Sequence, residues 1–284
     1  MDDGGVLWDT RHLVESNTRA ENRSGSSADR VSSIEMSMTS STGSGISGRQ
    51  AVSRGSVAGT ALPCYVFESD AELARHVAQL IANLIRERAS VGQPAVLGLP
   101  TGSSPTGIYR ELVRLHQENG LDFSNVVVFG LDEYVGPAPD ATQSRARWLD
   151  EHLLERVNIR RENVHLLDGS IAADEVDEYC RAYEMAIEKA GGIDLQLLGI
   201  GTNGHVGCNE PFSVGLSRTR MATIDPVSRK ARASEFFGEE NVPTQALTMG
   251  LGTIMRARKI VLVALGEHKA SIMRQTLEEE ATDR

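Results

Sequence analysis

Residues 194–211, DLQLLGIGTNGHVGCNEP, limit what this chain can fold into more than any other stretch. An apolar run of strand length occupies 195–200 and breaks at Gly201. A polar turn follows through Thr202, Asn203, Gly204 and His205, with Asn209, Glu210 and Pro211 just beyond. A buried strand that empties into a glycine-rich turn is how open α/β sheets deliver polar groups to a cleft at their carboxyl edge. The glycines at 199, 201, 204 and 207 let a ligand approach the backbone closely. His205 and Glu210 are the proton-handling side chains of the turn. Taken alone, such a turn is as readily a tight connection as a site, and a lone histidine is more often structural. Its weight comes from two more turns of the same kind.

From Leu62 onward, strand-like and helix-like units alternate. Apolar runs lie at 63–67, 95–99, 126–129, 164–167, 195–200 and 259–265. Helical spacing lies at 70–89, 105–118, 148–156 and 174–190, and a last helix starts at His268 or Lys269. Within 70–89, Leu73, Val77, Leu80, Ile81, Leu84 and Ile85 share one face, and Ser69 or Asp70 is a fitting N-cap. This alternation predicts an α/β fold: a single open, mostly parallel sheet with helices on both faces, Rossmann-like in layout. Between the central turn and Gly252 the chain reads as a long polar segment.

Residues 1–62 differ in texture. They are rich in Ser, Gly, Thr and Arg, cannot bury enough apolar surface to offset ordering entropy, and are expected to be disordered. They lack the apolar core of a secretory signal, and their acidic residues speak against an organelle transit peptide. The folded unit is therefore residues 63–284. Glu278, Glu279 and Glu280 oppose the dipole at a helix C-terminus, so this unit is expected to be incomplete at its C-terminal end.

The net charge of −10 argues against nonspecific nucleic-acid binding. No run of about 18 apolar residues is present, so no membrane span is expected. Cys64, Cys180 and Cys208 have no CxxC spacing, which suits a reducing compartment and the cytoplasm rather than a disulfide framework or a structural zinc. Cys208 lies in the central turn without an adjacent base and reads as a packing residue.

The second turn, 98–107 (GLPTGSSPTG), follows a strand and opens a helix. Its backbone N–H groups and the hydroxyls of Thr101, Ser103, Ser104 and Thr106 suit an anion at a helix N-terminus. It is neither a Walker loop nor GxGxxG, so a nucleotide is not implied; its plainer meaning is a capped turn. The third, 129–136 (FGLDEYVG), places Asp132 and Glu133 where a carboxylate would stand over the sheet edge, as a base for a carbon-bound proton must. Alone, it is more readily a solvated acidic loop. Lys269 opens the last helix and, from the residues alone, is an exposed lysine. Together these turns point to acid–base chemistry on a small phosphorylated metabolite, without a metal or redox motif.

At these residues the chain resembles the glucosamine-6-phosphate deaminase/isomerase family. LGLPTGSSPTGIY, VVVFGLDEYVG and LGIGTNGHVGCNEP are similar to its signature segments and stand in the same order, as do SRTR (217–220), ALTMGLGTI (246–254) and LGEHKA (265–270). The likeness spans about residues 63–280. It implies a fold of the sugar-phosphate isomerase type and a cytoplasmic enzyme of amino-sugar catabolism. The reaction implied converts glucosamine 6-phosphate and water into fructose 6-phosphate and ammonia, with neither cofactor nor metal. By the resemblance, Asp132 moves a proton between C2 and C1, and His205, assisted by Asn203 and Glu210, opens the sugar ring. Thr101, Gly102, Ser103 and Lys269 hold the phosphate. The partner expected is a small amino-sugar phosphate, not nucleic acid or membrane; a homo-oligomer is compatible with it.

Several positions depart from the family pattern. Asn203 stands where some members carry aspartate, and it hydrogen-bonds a histidine without raising its pKa as a carboxylate would. Glu235 precedes Phe236–Phe237 where a phosphate-gripping lid arginine is common, with Arg229, Lys230 or Arg232 as substitutes if the segment shifts register. Arg145 and Arg147 replace usual aromatics, and Ala222 replaces a basic residue of allosteric members, so allosteric activation is not expected. The alternatives are a 6-phosphogluconolactonase-like hydrolase, a galactosamine 6-phosphate isomerase, or a non-catalytic sugar-phosphate sensor.

Overall fold

The computed structural model describes residues 5–9, 53–54 and 64–278. The elements run β1 (Gly5–Asp9), β2 (Ser53–Arg54), β3 (Cys64–Val66), α1 (Asp70–Ser90), β4 (Ala95–Leu99) and α2 (Ser103–Asn119). They continue with β5 (Val126–Gly130), β6 (Asp132–Tyr134), α3 (Arg145–His152), β7 (Val164–His165), α4 (Val176–Lys189) and β8 (Leu195–Gly199). The last third holds β9 (Arg220–Thr223), α5 (Pro226–Ala231), β10 (Gln245–Thr248), the short α6 (Leu251–Ile254), β11 (Ile260–Leu265) and α7 (Ala270–Glu278).

Strands β7, β5, β4, β8 and β11 lie side by side in that order, all parallel. Beyond β11 the sheet continues with β1, β3 and β2, each antiparallel to its neighbour. Helices cover both faces of the parallel part, which is why β4 and β8 are almost wholly apolar. Alternation along each strand sends Leu97, Leu99, Leu195 and Leu197 to the layer of α1 and α2, where Leu73, Ile81, Ile108 and Leu112 are buried. Val96 and Leu198 turn the other way, to the layer of α4 with Cys180, Tyr183 and Ile187. Helix α1 starts at Asp70 because Ser69 is extended and its Oγ accepts the Glu72 N–H at 3.3 Å.

Two features depart from expectation. Disorder does not describe residues 5–9 and 53–54: Leu7 pairs with Val263 of β11 on one side and Tyr65 of β3 on the other. GVLWD is rich in residues that favour strands, and it falls within an otherwise polar segment. The rest of 1–62 lies outside the described residues, as do 279–284. Second, the polar segment before Gly252 contributes to a separate three-stranded antiparallel sheet, β6–β10–β9. Among the described residues, no helix is long and apolar enough to cross a membrane.

The strand order positions the site. From β4 the chain steps outward to β5 and β7, then returns to β8 on the other side of β4. That reversal opens a crevice between the turns that leave β4 and β8, the place where open α/β sheets bind ligands. The turns after β4, β5, β8 and β11 all emerge at this one edge, because those strands are parallel.

Candidate active site

Of the two adjacent carboxylates after β5, one is structural. Glu133 accepts from the backbone N–H groups of Tyr134 (2.8 Å), Arg145 (3.0 Å) and Ala146 (2.9 Å), and from Ser144 Oγ (2.8 Å). Both of its oxygens are therefore spent on capping α3. Asp132 is buried, but it has a different set of neighbours. The Cys208 thiol donates to its Oδ2 at 3.3 Å, and Arg145 Nε lies 3.1 Å from the same oxygen. Cys208 thus does more than pack: burial and the Asp132 charge push its thiol pKa up to about 12, so it remains a neutral donor to the carboxylate.

The turn after β8 builds a relay. Glu210 Oε2 accepts from Asn203 Nδ2 at 2.8 Å, which turns Asn203 Oδ1 toward His205 Nδ1 at 2.7 Å. Nδ1 therefore carries the proton, leaving the lone pair on Nε2. Ser228, from α5, joins from the side at 3.0 Å to Glu210 Oε2 and 3.1 Å to His205 Nδ1. Gly201 is required here by contact: a Cβ on it would lie 2.2 Å from the His205 ring. Burial, and then the nearby Arg232 charge, lower the His205 pKa to about 4, so the ring is neutral at physiological pH.

The turn after β4 ends in an open helix N-terminus. Gly102, at φ 107°, is the N-cap of α2 and brings no side-chain cap. Nor does the first turn of α2 hold an acidic residue, so its N–H groups and the positive end of the dipole face the crevice unneutralised. The helix begins at Ser103, two residues before the expected start, which places Ser103 inside this terminus. Lys269 closes the short turn Glu267–Lys269 after β11. It is half-buried rather than exposed, and burial followed by Arg232 lowers its pKa.

Two arginines join these parts through Tyr134. Arg145 donates to the Tyr134 hydroxyl at 2.9 Å and to Thr101 Oγ1; Arg232 donates to the same hydroxyl at 3.0 Å and to His205 Nε2 at 3.3 Å. Their Cζ atoms lie 4.5 and 5.7 Å from the Tyr134 ring centroid. Thr101, Asp132 and His205 are thereby brought into one constellation, with Asn203 and Glu210 behind His205. Glu235 is exposed, whereas Arg232, at the C-cap of α5, turns inward to Tyr134 and His205. Tyr134 and Ser228 were missed from the sequence. Arg145 shows in the sequence only as a departure; a cation in place of an aromatic beyond the DEY segment is the available signal.

Residues 68–284 match the family model described as glucosamine-6-phosphate isomerases/6-phosphogluconolactonase. A glucosamine-6-phosphate deaminase of Thermoanaerobacter sp. (strain X514) is 43% identical over 211 residues, covering 74% of this chain and 81% of the relative. The same-named protein of Arthrobacter sp. (strain FB24) is 47% identical over 204 residues, 72% and 78% of the two chains. The solved structure of a monomeric glucosamine-6-phosphate deaminase superposes with a TM-score of 0.70 at 35% identity, covering 76% of this chain and 87% of that one. A 6-phosphogluconolactonase from Trypanosoma cruzi, at 21% identity and a TM-score of 0.59, shares the fold. The chain belongs to the glucosamine-6-phosphate isomerase/6-phosphogluconolactonase family.

Proposed function

We infer that the chain is a cytoplasmic glucosamine-6-phosphate deaminase, which converts glucosamine 6-phosphate and water into fructose 6-phosphate and ammonia. The observation that carries this reading is the pairing of a buried carboxylate, Asp132, with a neutral histidine whose tautomer is fixed by Asn203 and Glu210. Ring opening needs a group that accepts the anomeric hydroxyl proton and returns it to the ring oxygen. His205 Nε2, unprotonated above about pH 4, suits this role. Isomerisation then needs a base that removes the C2 proton and delivers it to C1. Asp132 suits this because Glu133 beside it is committed to capping. Water adds at C2 and ammonia leaves.

The phosphate is assigned to the α2 N-terminus at Thr101, Gly102 and Ser103, with Lys269 supplying charge. Arg232 takes the part of the lid cation that Glu235 cannot play. The test is incubation of the purified chain with glucosamine 6-phosphate, with fructose 6-phosphate and ammonia followed together. Equal amounts of the two products are expected. Folded protein that yields neither, or that instead hydrolyses 6-phosphogluconolactone, would overturn the reading.

A further inference from the structure

Arg145 has no role in the chemistry above, yet it spans two parts of it. Its Nη1 donates to Thr101 in the cradle, its Nη2 to Tyr134 at 2.9 Å, and its Nε lies 3.1 Å from Asp132 Oδ2. The side chain is 12% exposed, and Nε is buried without a well-aligned hydrogen bond. One rigid guanidinium thus touches both the residue assigned to the phosphate and the residue assigned to proton transfer.

Resting on the deaminase reading of this site, we propose that Arg145 is a positioning residue that couples phosphate binding at Thr101 to the placement of Asp132. It thereby makes turnover, and not binding alone, depend on a phosphorylated sugar. A guanidinium fork binds phosphate through two parallel N–H bonds, whereas Asp132 receives one poorly aligned contact from Arg145. A phosphate seated at Thr101 therefore competes well for this side chain. The guanidinium is planar, so re-aiming Nη1 re-aims Nε with it. Asp132 Oδ2 then answers to Cys208 and to the new position of Nε. Arg145 and Asp132 are largely buried, so solvent screens the change little and the shift at Thr101 is felt at the carboxylate. A lysine could carry the charge but could not hold Thr101, Tyr134 and Asp132 from one plane.

The experiment is a double-mutant cycle on kcat for glucosamine 6-phosphate, using Thr101→Val, Arg145→Met and the pair, with folding checked by circular dichroism. Arg145→Met is expected to lower kcat by about tenfold to a hundredfold, the scale of a misplaced catalytic group, with a smaller change in KM. Thr101→Val is expected to lower kcat in the parent and to add little once Arg145 is gone. Arg145→Lys is expected not to restore kcat; it also serves in the cycle should Arg145→Met fail to fold. Independent effects, with kcat losses that multiply, would overturn the coupling, and so would a change confined to KM. Asp132→Asn is the control that separates the two readings. If it retains parental turnover, the assignment of the base fails; if it is inactive while the cycle is multiplicative, only the coupling fails.

Discussion

His205 shows how single contacts set chemistry at the residue scale. Its neutrality comes from burial and from Arg232, against the opposing pull of Glu210 and Asp132. Replacing Arg232 with glutamine removes a positive charge 3.3 Å from Nε2, so the His205 pKa should rise from about 4 toward 6.5, as read by an NMR titration. An unchanged value would show that burial alone holds the ring neutral. At this scale the sequence exposed what lies in contiguous motifs: Asp132, Asn203, His205 and Glu210. It could not rank Asp132 over Glu133, because the four donors that occupy Glu133 come partly from residues 144–146, across a turn. Nor could it show Arg145 or Arg232 meeting at Tyr134, since Arg232 is 98 residues away.

At the scale of elements, β6 is the piece on which the site turns. It carries Asp132 and Tyr134 and pairs with β10 through Thr248 and Ala246. Behind it, Gly169 packs so closely that a Cβ would stand 1.7 Å from the Tyr134 carbonyl oxygen. Gly169→Ala should therefore push β6 out of place, costing about 1–3 kcal/mol of stability as overpacking does and lowering kcat as well. Denaturant melts beside steady-state kinetics test this, and a variant with parental stability and rate would contradict the close packing. The parallel strands were legible because burial on both faces makes them continuous apolar runs. β9 was not: its residues are half-buried or exposed, so Arg220–Thr223 shows no alternation to detect. Gly5–Asp9 is hard to read because the polar composition of the surrounding segment outweighs five strand-favouring residues.

The whole molecule carries the cost of burying His205 in its neutral form. The unfolded chain protonates His205 near pH 6.5, the folded chain only near 4. Between those values the unfolded state holds more protons. The contribution of His205 is therefore intact above pH 6.5 and declines as pH falls toward 4, by on the order of 3 kcal/mol in total. Urea midpoints at pH 7 and pH 5 should fall further for the parent than for His205→Gln, and equal losses would contradict this. The architecture itself was readable because strand–helix alternation allows few topologies. The reversal between β4 and β8 then accounts for three distant turns meeting at one edge. The most direct measurement of the central claim is solvent-deuterium exchange at C2 of glucosamine 6-phosphate together with ammonia release, for the parent and Asp132→Asn. Both activities in the parent and neither in a folded Asp132→Asn are expected. Exchange that persists in the variant would mean that another group moves the proton.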